Sequence, residues 1–278
     1  ELVNFPIILP FTKTWYGKKT ADMTMKIFEQ CAQMAKDHIA SGGQTTCVMD
    51  AWCKLMHDAK NQNDADSRLL HREFSNKEIS EAIFTFLFAS QDASSSLACW
   101  LFQIVADRPD VLEKIREEQL KVRENDPTKA LSLDLIEEMK YTNMVVKESL
   151  RYRPPVLMVP YVVKQKFPIA PNYSAPKGSM LIPTLYPALH DPEVYENPDE
   201  FIPERWVEGS PANQAKRNWL VFGSGPHVCL GQTYVMMTFT ALIGKFAMYT
   251  DFEHKVTPLS EKIKVFATIF PKDDLLLS

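Results

Sequence analysis

A mainly α fold with small β-sheets is the class this sequence predicts, and three observations predict it. The first half carries long stretches of helical periodicity. The second half breaks into short apolar runs separated by Pro and Gly. The composition of the 278 residues, 45% hydrophobic and 24% charged, is ordinary for a globular chain and long enough for one large or two medium domains. The formal net charge of −4, with no Lys/Arg-rich run interleaved with aromatics, argues against a nucleic-acid partner. The five cysteines are odd in number and form no CxxC pair, so neither a disulfide framework nor a structural zinc site is suggested. The longest apolar stretches, 83–89 and 234–244, fall short of the roughly 18 to 20 residues of a membrane span and read as core segments. Because the chain opens on Glu1 rather than Met, it reads as a fragment that has lost an upstream half.

The elements follow in order. "NFPIILPF" (4–11) is apolar but broken by Pro6 and Pro10, which predicts an apolar surface loop. From about Lys18 to Ile39, apolar positions including Met23, Ile27 and Met34 fit an amphipathic helix closed by Ser41-Gly42-Gly43. Residues 58–68 are polar and read as a solvated loop. A long helix then starts at a capping box, Ser75 with Glu78, beside a hydrophobic staple of Phe74 and Ile79. It is expected to run from about 75 to 106, where Asp107-Arg108-Pro109 ends it and opens the next helix, 110–124. The segment 132–152 reads as two short helices, the second over about 141–152. "VLMVPYVV" (156–163) and "SMLIPTL" (179–185) look like short strands, the latter entered through Pro176-Lys177-Gly178. A proline-rich stretch (187–211) leads to "FGSGPHVCLG" (222–231) and a last apolar helix over about 231–249.

That decapeptide poses the chemical question of the sequence. Cys229 stands among Gly223, Gly225 and Gly231, three of the chain's nine glycines. A Walker-type phosphate loop needs Gly-Lys-Ser/Thr at its close, and neither Lys nor Ser/Thr is there. A catalytic thiol needs a base, and His227 is near in sequence, although two residues within a turn do not guarantee that the side chains meet. An axial thiolate to haem iron uses more of the residues. The glycines permit a tight turn that brings amide N–H groups toward the sulfur, and a helix starting just after Cys229 aims its positive end there. Phe222 is expected to lie against the sulfur, and His227 to offer a donor to a haem propionate. A glycine-rich turn with a buried cysteine is the structural alternative.

"FGSGPHVCLG" fits the F-x-x-G-x-x-x-C-x-G signature of the cytochrome P-450 haem-thiolate monooxygenases. "ESLR" (148–151) resembles that family's Glu-x-x-Arg, and "FIPERW" (201–206) the segment whose arginine joins it. The resemblance implies the C-terminal portion of one P-450 catalytic domain holding haem b, iron protoporphyrin IX, on Cys229, with Phe222, Gly225, His227 and Gly231 around it. It also implies that Glu148, Arg151 and Arg205 lock the core beneath the haem. Taken alone, a Glu/Arg pair at i, i+3 is usually a surface ion pair, but Val145, Val146 and Leu150 surround this one with apolar residues.

"FASQDASSS" (88–96) places an acid and serines inside an apolar helix. One reading is a helix break recapped by Asp92 or a serine. With the haem motif present, it resembles the family's oxygen-binding groove, where Ala89 and Ala93 leave room and Asp92 feeds protons toward O2. The family's usual threonine after the acid is replaced by Ala93, followed by Ser94, so the relay falls to Asp92, Ser94 or water. Tyr161 is a second departure, at a position where an arginine to a propionate is common.

"FASQDAS" is similar to the sterol C-22 desaturases of fungi and plants. That resemblance implies a C22–C23 double bond in an ergostane-type sterol of ergosterol biosynthesis, made with O2 and electrons from NADPH through a separate NADPH-cytochrome P-450 reductase. It further implies a place on the cytosolic face of the endoplasmic reticulum membrane, with the N-terminal anchor absent and "NFPIILPF" at the membrane interface. Substrate walls by analogy are Phe84, Phe88 and Ala89, then Val156, Leu157, Met158 and Val159, then Val265, Phe266, Ala267 and Thr268; plain core packing is the alternative for each. A related sterol hydroxylase or demethylase, and a haem-free, non-catalytic fragment, remain the competing readings.

Overall fold

The structure is a computed structural model that describes residues 8–61, 72–215, 218–266 and 268–278. The chain divides into two compact units, Glu1–Gln91 and Asp92–Ser278. The first contains α1 (Lys13–Ala40), α2 (Val48–Asn61) and the opening turns of the 32-residue α3 (Asn76–Asp107). Helix α1 starts earlier than its periodicity predicts, because Thr12 Oγ1 accepts the Trp15 amide at 3.3 Å and caps it. It closes as expected at Ser41-Gly42, with Gly42 in the left-handed region at φ 83°.

The buried face of α1 differs from the expected one. Ala32, Ala35 and Ile39 face the core with Met49, Cys53, Met56 and Ile79, while Met23, Ile27 and Met34 are exposed. Small alanines let α2 approach closely, so backbone proximity rather than side-chain size selects this face. Helix α2 takes residues 58–61 from the expected polar loop, since Lys54 and Asp58 pair at 2.9 Å one turn apart; positions 62–68 lie outside the described residues.

At the head of α3 the capping box is complete. Ser75 Oγ accepts the Glu78 amide at 3.2 Å, while Glu78 Oε2 accepts the Ser75 amide at 2.9 Å. Phe74 packs against the buried Ile79 as the staple. The helix runs without interruption past Asp92, which removes the reading of a break recapped by Asp92 or a serine.

The second unit is built on α4 (Pro109–Val122), α5 (Leu133–Glu138), α6 (Lys140–Tyr152) and α7 (Gln232–Tyr249). Its core joins Leu97, Leu101 and Val105 of α3 to Val111 and Ile115, to Val145, Val146 and Leu150, and to Phe239 and Ile243. The Glu118 carboxylate of α4 accepts the amides of Tyr141 and Thr142 at 2.6 and 2.8 Å, capping α6 from a neighbouring helix.

Among the described residues, three two-stranded antiparallel sheets complete the unit. Of the expected first strand only β1 (Tyr161–Val162) is regular; it pairs with β4 (Met180–Leu181), and a further bridge joins Met158 to Thr184. Two hairpins were not expected. Strands β2 (Phe167–Ala170) and β3 (Tyr173–Ala175) pair with a register shift between Pro168 and Ala170, a bulge that accommodates a proline. Strands β5 (Ile263–Phe266) and β6 (Thr268–Pro271) pair through Val265 with Ile269 and Phe266 with Thr268.

Candidate functional site

Two left-handed glycines shape the cysteine loop. Gly223 and Gly225 both have φ 73°, a region a side chain would strain, and Gly225 opens a single 3₁₀ turn over Gly225–His227. The Cys229 amide donates to the Phe222 carbonyl at 2.8 Å and the Val228 amide to Gly225 at 3.1 Å, closing the loop at its base. Among the described residues the amides of Leu230 and Gly231, which follow the cysteine, donate to no backbone carbonyl. Gly231 does not turn the chain by a special conformation, since its φ is −84°. It stands at the N-cap of α7, and a Cβ built there would lie 3.7 Å from Cys229 Sγ, so its hydrogen leaves that flank of the sulfur uncovered.

Cys229 is exposed rather than buried, as are Val228 and, at 92%, Leu230. A free, exposed thiol with exposed apolar neighbours at the start of an uncapped 18-residue helix could hold the iron of a flat apolar group such as haem. The Phe222 ring packs edge-on against Trp219, 5.6 Å between centroids, and against the core, and its carbonyl receives the Cys229 amide.

His227 is exposed, and its ring meets that of Tyr161 on β1 at 6.3 Å, tilted by 56°. Sequence reasoning marked Tyr161 only as a departure. Its neighbour is set by the β1–β4 pairing, which no local pattern reveals.

Behind the loop, α6 carries Glu148 and Arg151 fully buried. Arg151 donates to both Glu148 oxygens at 2.8 and 2.9 Å, and Arg205 Nε donates to Oε1 at 2.9 Å. Two further donors were not foreseen: Trp206 Nε1 to Oε2 at 2.8 Å and the Ile202 amide to Oε1 at 3.1 Å. The remaining guanidinium hydrogens of Arg151 go to the carbonyls of Leu189, Pro198 and Glu200, and those of Arg205 to Glu196, Asn197 and Glu200. A buried ion pair needs this degree of satisfaction. The Lys147 ammonium lies 4.3 Å from the Trp206 ring and 5.0 Å from Trp219, and burial lowers its pKa. The Trp206–Trp219–Phe222 ring contacts thus run from the carboxylate to the base of the cysteine loop.

On α3, Asp92, Ala93 and Ser94 are each half-buried. The Asp92 carbonyl accepts from Thr268 Oγ1 at 3.4 Å, and Ser96 and Trp100 both donate to the Ile269 carbonyl, which ties β6 to this stretch. Among the described residues the Asp92 carboxylate has no hydrogen-bond partner. Of the expected substrate walls, Phe84, Phe88 and Ala89 are exposed within the first unit. In the second unit Met158, Val159 and Val265 are exposed, Val156 and Leu157 half-buried, and Thr268 is 5% exposed. Core packing therefore accounts for Thr268 but not for the exposed residues. Phe266 is placed by its pairing with Thr268, and Ala267 lies outside the described residues.

Comparison with known proteins follows the same lines. Residues 1–275 match the family model described as Cytochrome P450. The chain is 84% identical over 278 residues to C-22 sterol desaturase ERG5 of Saccharomyces cerevisiae, covering 100% of this chain and 52% of that protein. It is 72% identical over 280 residues to the protein of the same name in Candida albicans, covering 100% and 54%. To Cytochrome P450 710A2 of Arabidopsis thaliana it is 34% identical over 273 residues, covering 96% and 53%. The chain thus spans about half the length of the curated relatives it matches. In fold it is similar to a retinoic acid-bound cyanobacterial CYP120A1, with TM-score 0.81 and 21% identity over 99% of this chain and 59% of that one. With the glycine-turn cysteine, the buried Glu148 cluster and a family match that runs from residue 1 to 275, the chain belongs to the cytochrome P450 family.

Proposed function

We propose that the enzyme containing this chain is a haem-thiolate oxidase that introduces the C22–C23 double bond into the side chain of an ergostane-type sterol. The observation that carries the chemistry is the free, exposed Cys229 thiol in its glycine turn. The likeness to relatives named C-22 sterol desaturase, 84% and 72% identical, carries the substrate class. Haem, when bound, activates O2 with electrons that a reductase brings from NADPH. The stoichiometry balances: the sterol loses one hydrogen each from C22 and C23, NADPH and a proton supply two more, and O2 leaves as two waters.

The chain's own residues divide the work. Cys229 would hold the haem iron through its thiolate, and His227 would offer a donor to a propionate. Glu148, with Arg151, Arg205 and Trp206, fixes the segment behind the loop so that Cys229 does not wander. Asp92, half-buried on α3, and the Ser94 hydroxyl two residues on would relay protons inward together with water. Ala93 leaves space where a larger side chain would crowd the sterol. Within the second unit the exposed Met158, Val159 and Val265 present apolar side chains suited to a sterol.

No helix among the described residues is long and apolar enough to cross a membrane. Exposed Ile8, Leu9 and Phe11 suit the interface of the endoplasmic reticulum membrane, on its cytosolic face. Incubating the complete enzyme with its reductase, NADPH and an ergostane-type sterol tests the reading. A C22-unsaturated product that disappears with Cys229→Ser is expected, whereas a side-chain alcohol as sole product would replace desaturation by hydroxylation.

A further inference from the structure

The hydroxyls along α3 behave in two ways. Those of Ser80, Thr85 and Ser90 return to carbonyls of their own helix three or four residues back, the ordinary acceptors for a helical serine or threonine. Ser96 does not. Fully buried, it donates instead to the Ile269 carbonyl of β6, which also receives Trp100 Nε1 at 3.1 Å. Thr268 Oγ1 donates in the opposite direction, to the Asp92 carbonyl at 3.4 Å, the group four residues before Ser96. The Ile269 amide is committed as well, to the Pro155 carbonyl at 3.1 Å. Trp100 is itself braced: the Arg153 guanidinium lies 5.1 Å from its ring and pairs with Glu261 at 3.2 Å, and Gln103 Nε2 donates to the same carboxylate at 3.1 Å. One donor would satisfy the Ile269 carbonyl; a second, from a braced side chain, fixes its direction. Val265, the exposed residue suited to a sterol, pairs directly with Ile269 across the hairpin.

We infer that Ser96 and Trp100 are positioning residues for the sterol reaction. By gripping the Ile269 carbonyl from α3 they set where the β5–β6 hairpin, and Val265 on it, stands relative to Asp92, Ala93 and Ser94, and so hold C22 and C23 in register for the second hydrogen removal. The assignment rests on the desaturase reading, in which Val265 meets the sterol. The alternative is that the two donors serve the stability of the fold alone.

The experiment uses the complete enzyme. It reads the sterol Kd by equilibrium binding, the ratio of C22-alkene to side-chain alcohol with reductase and NADPH, and hydrogen exchange of the β5–β6 segment. Ser96→Ala and Trp100→Phe each remove one donor with little loss of packing. Each is expected to raise the sterol Kd roughly threefold to tenfold, the effect of one buried hydrogen bond, and to lower the alkene share. The double variant is expected to exceed either and to speed exchange in the hairpin. Ser80→Ala, which removes a buried hydroxyl bonded within its own helix, is expected to change neither Kd nor ratio. A wild-type Kd and ratio in the double variant would overturn the assignment even if exchange quickens, because the contacts would then serve stability alone. Equal shifts in Ser80→Ala and Ser96→Ala would overturn it too. If the wild type binds the sterol but forms no C22-alkene, the desaturase reading fails, and the Kd still decides on Ser96 and Trp100: raised in their variants it upholds the assignment, unchanged it ends it. A wild type that binds no sterol defeats both.

Discussion

Glu148 accepts five hydrogen bonds, from Arg151 twice and from Ile202, Arg205 and Trp206 once each, and is fully buried. Truncating it to alanine strands the fully buried Arg151 guanidinium against a void. The expected cost is about 3–5 kcal/mol, read as a lower denaturant midpoint of the 278-residue chain; a loss under about 1 kcal/mol would mean that the cluster relaxes freely. The i, i+3 spacing and its apolar flanks made the Glu148–Arg151 pair legible in the sequence, and "FIPERW" supplied Arg205. Trp206 and the Ile202 amide were not legible, because spacing says nothing of how many donors a carboxylate still needs. In the stretch 88–96, Ala93 is a half-buried residue beside Asp92. Installing Ala93→Thr adds bulk and a hydroxyl there, and should raise the proportion of side-chain alcohol over C22-alkene in the complete enzyme. An unchanged product ratio with turnover intact would show that position 93 does not govern the outcome.

Capping chemistry is the part of each element that the sequence states most directly, because its partners lie within one turn. Ser75 and Glu78 satisfy each other at the head of α3, and Ser75→Ala is expected to cost about 0.5–2 kcal/mol in the stability of the Glu1–Gln91 unit. The Glu78 carboxyl is pulled down to about 2, first by the Arg72 guanidinium and then by the Ser75 amide and hydroxyl. A lowered carboxyl pKa contributes stability above the unfolded value near 4.5 that is lost as pH falls from there toward 2. Glu78→Gln should therefore flatten the fall in melting temperature over that window. High salt should shrink the difference, since the group is solvent-exposed; a salt-independent difference would point to another origin. The hairpins were hidden for the opposite reason. Pro168 in β2 argues locally against a strand, and the β5–β6 pairing is a contact between segments that carry no two-residue turn signal.

Over the whole molecule, apolar periodicity located the helices but not what each face meets. In the Glu1–Gln91 unit the large side chains Met23, Ile27, Met34, Phe84 and Phe88 are exposed, while alanines make the close contacts. Periodicity records that a face is apolar; only packing decides which apolar residues are used. The cysteine loop was the reverse case. Its glycines, its cysteine and the helix after it are all local features, so the loop could be located from the sequence alone. What the structure adds is an open sulfur, a loop closed through Phe222 and a neighbour, Tyr161, brought from a distant strand. The proposed chemistry requires that sulfur as the iron ligand. The carbon monoxide difference spectrum of the reduced complete enzyme tests it most directly: the wild type should show the red-shifted thiolate band and Cys229→Ser should lose it, whereas an identical band in both would contradict the assignment.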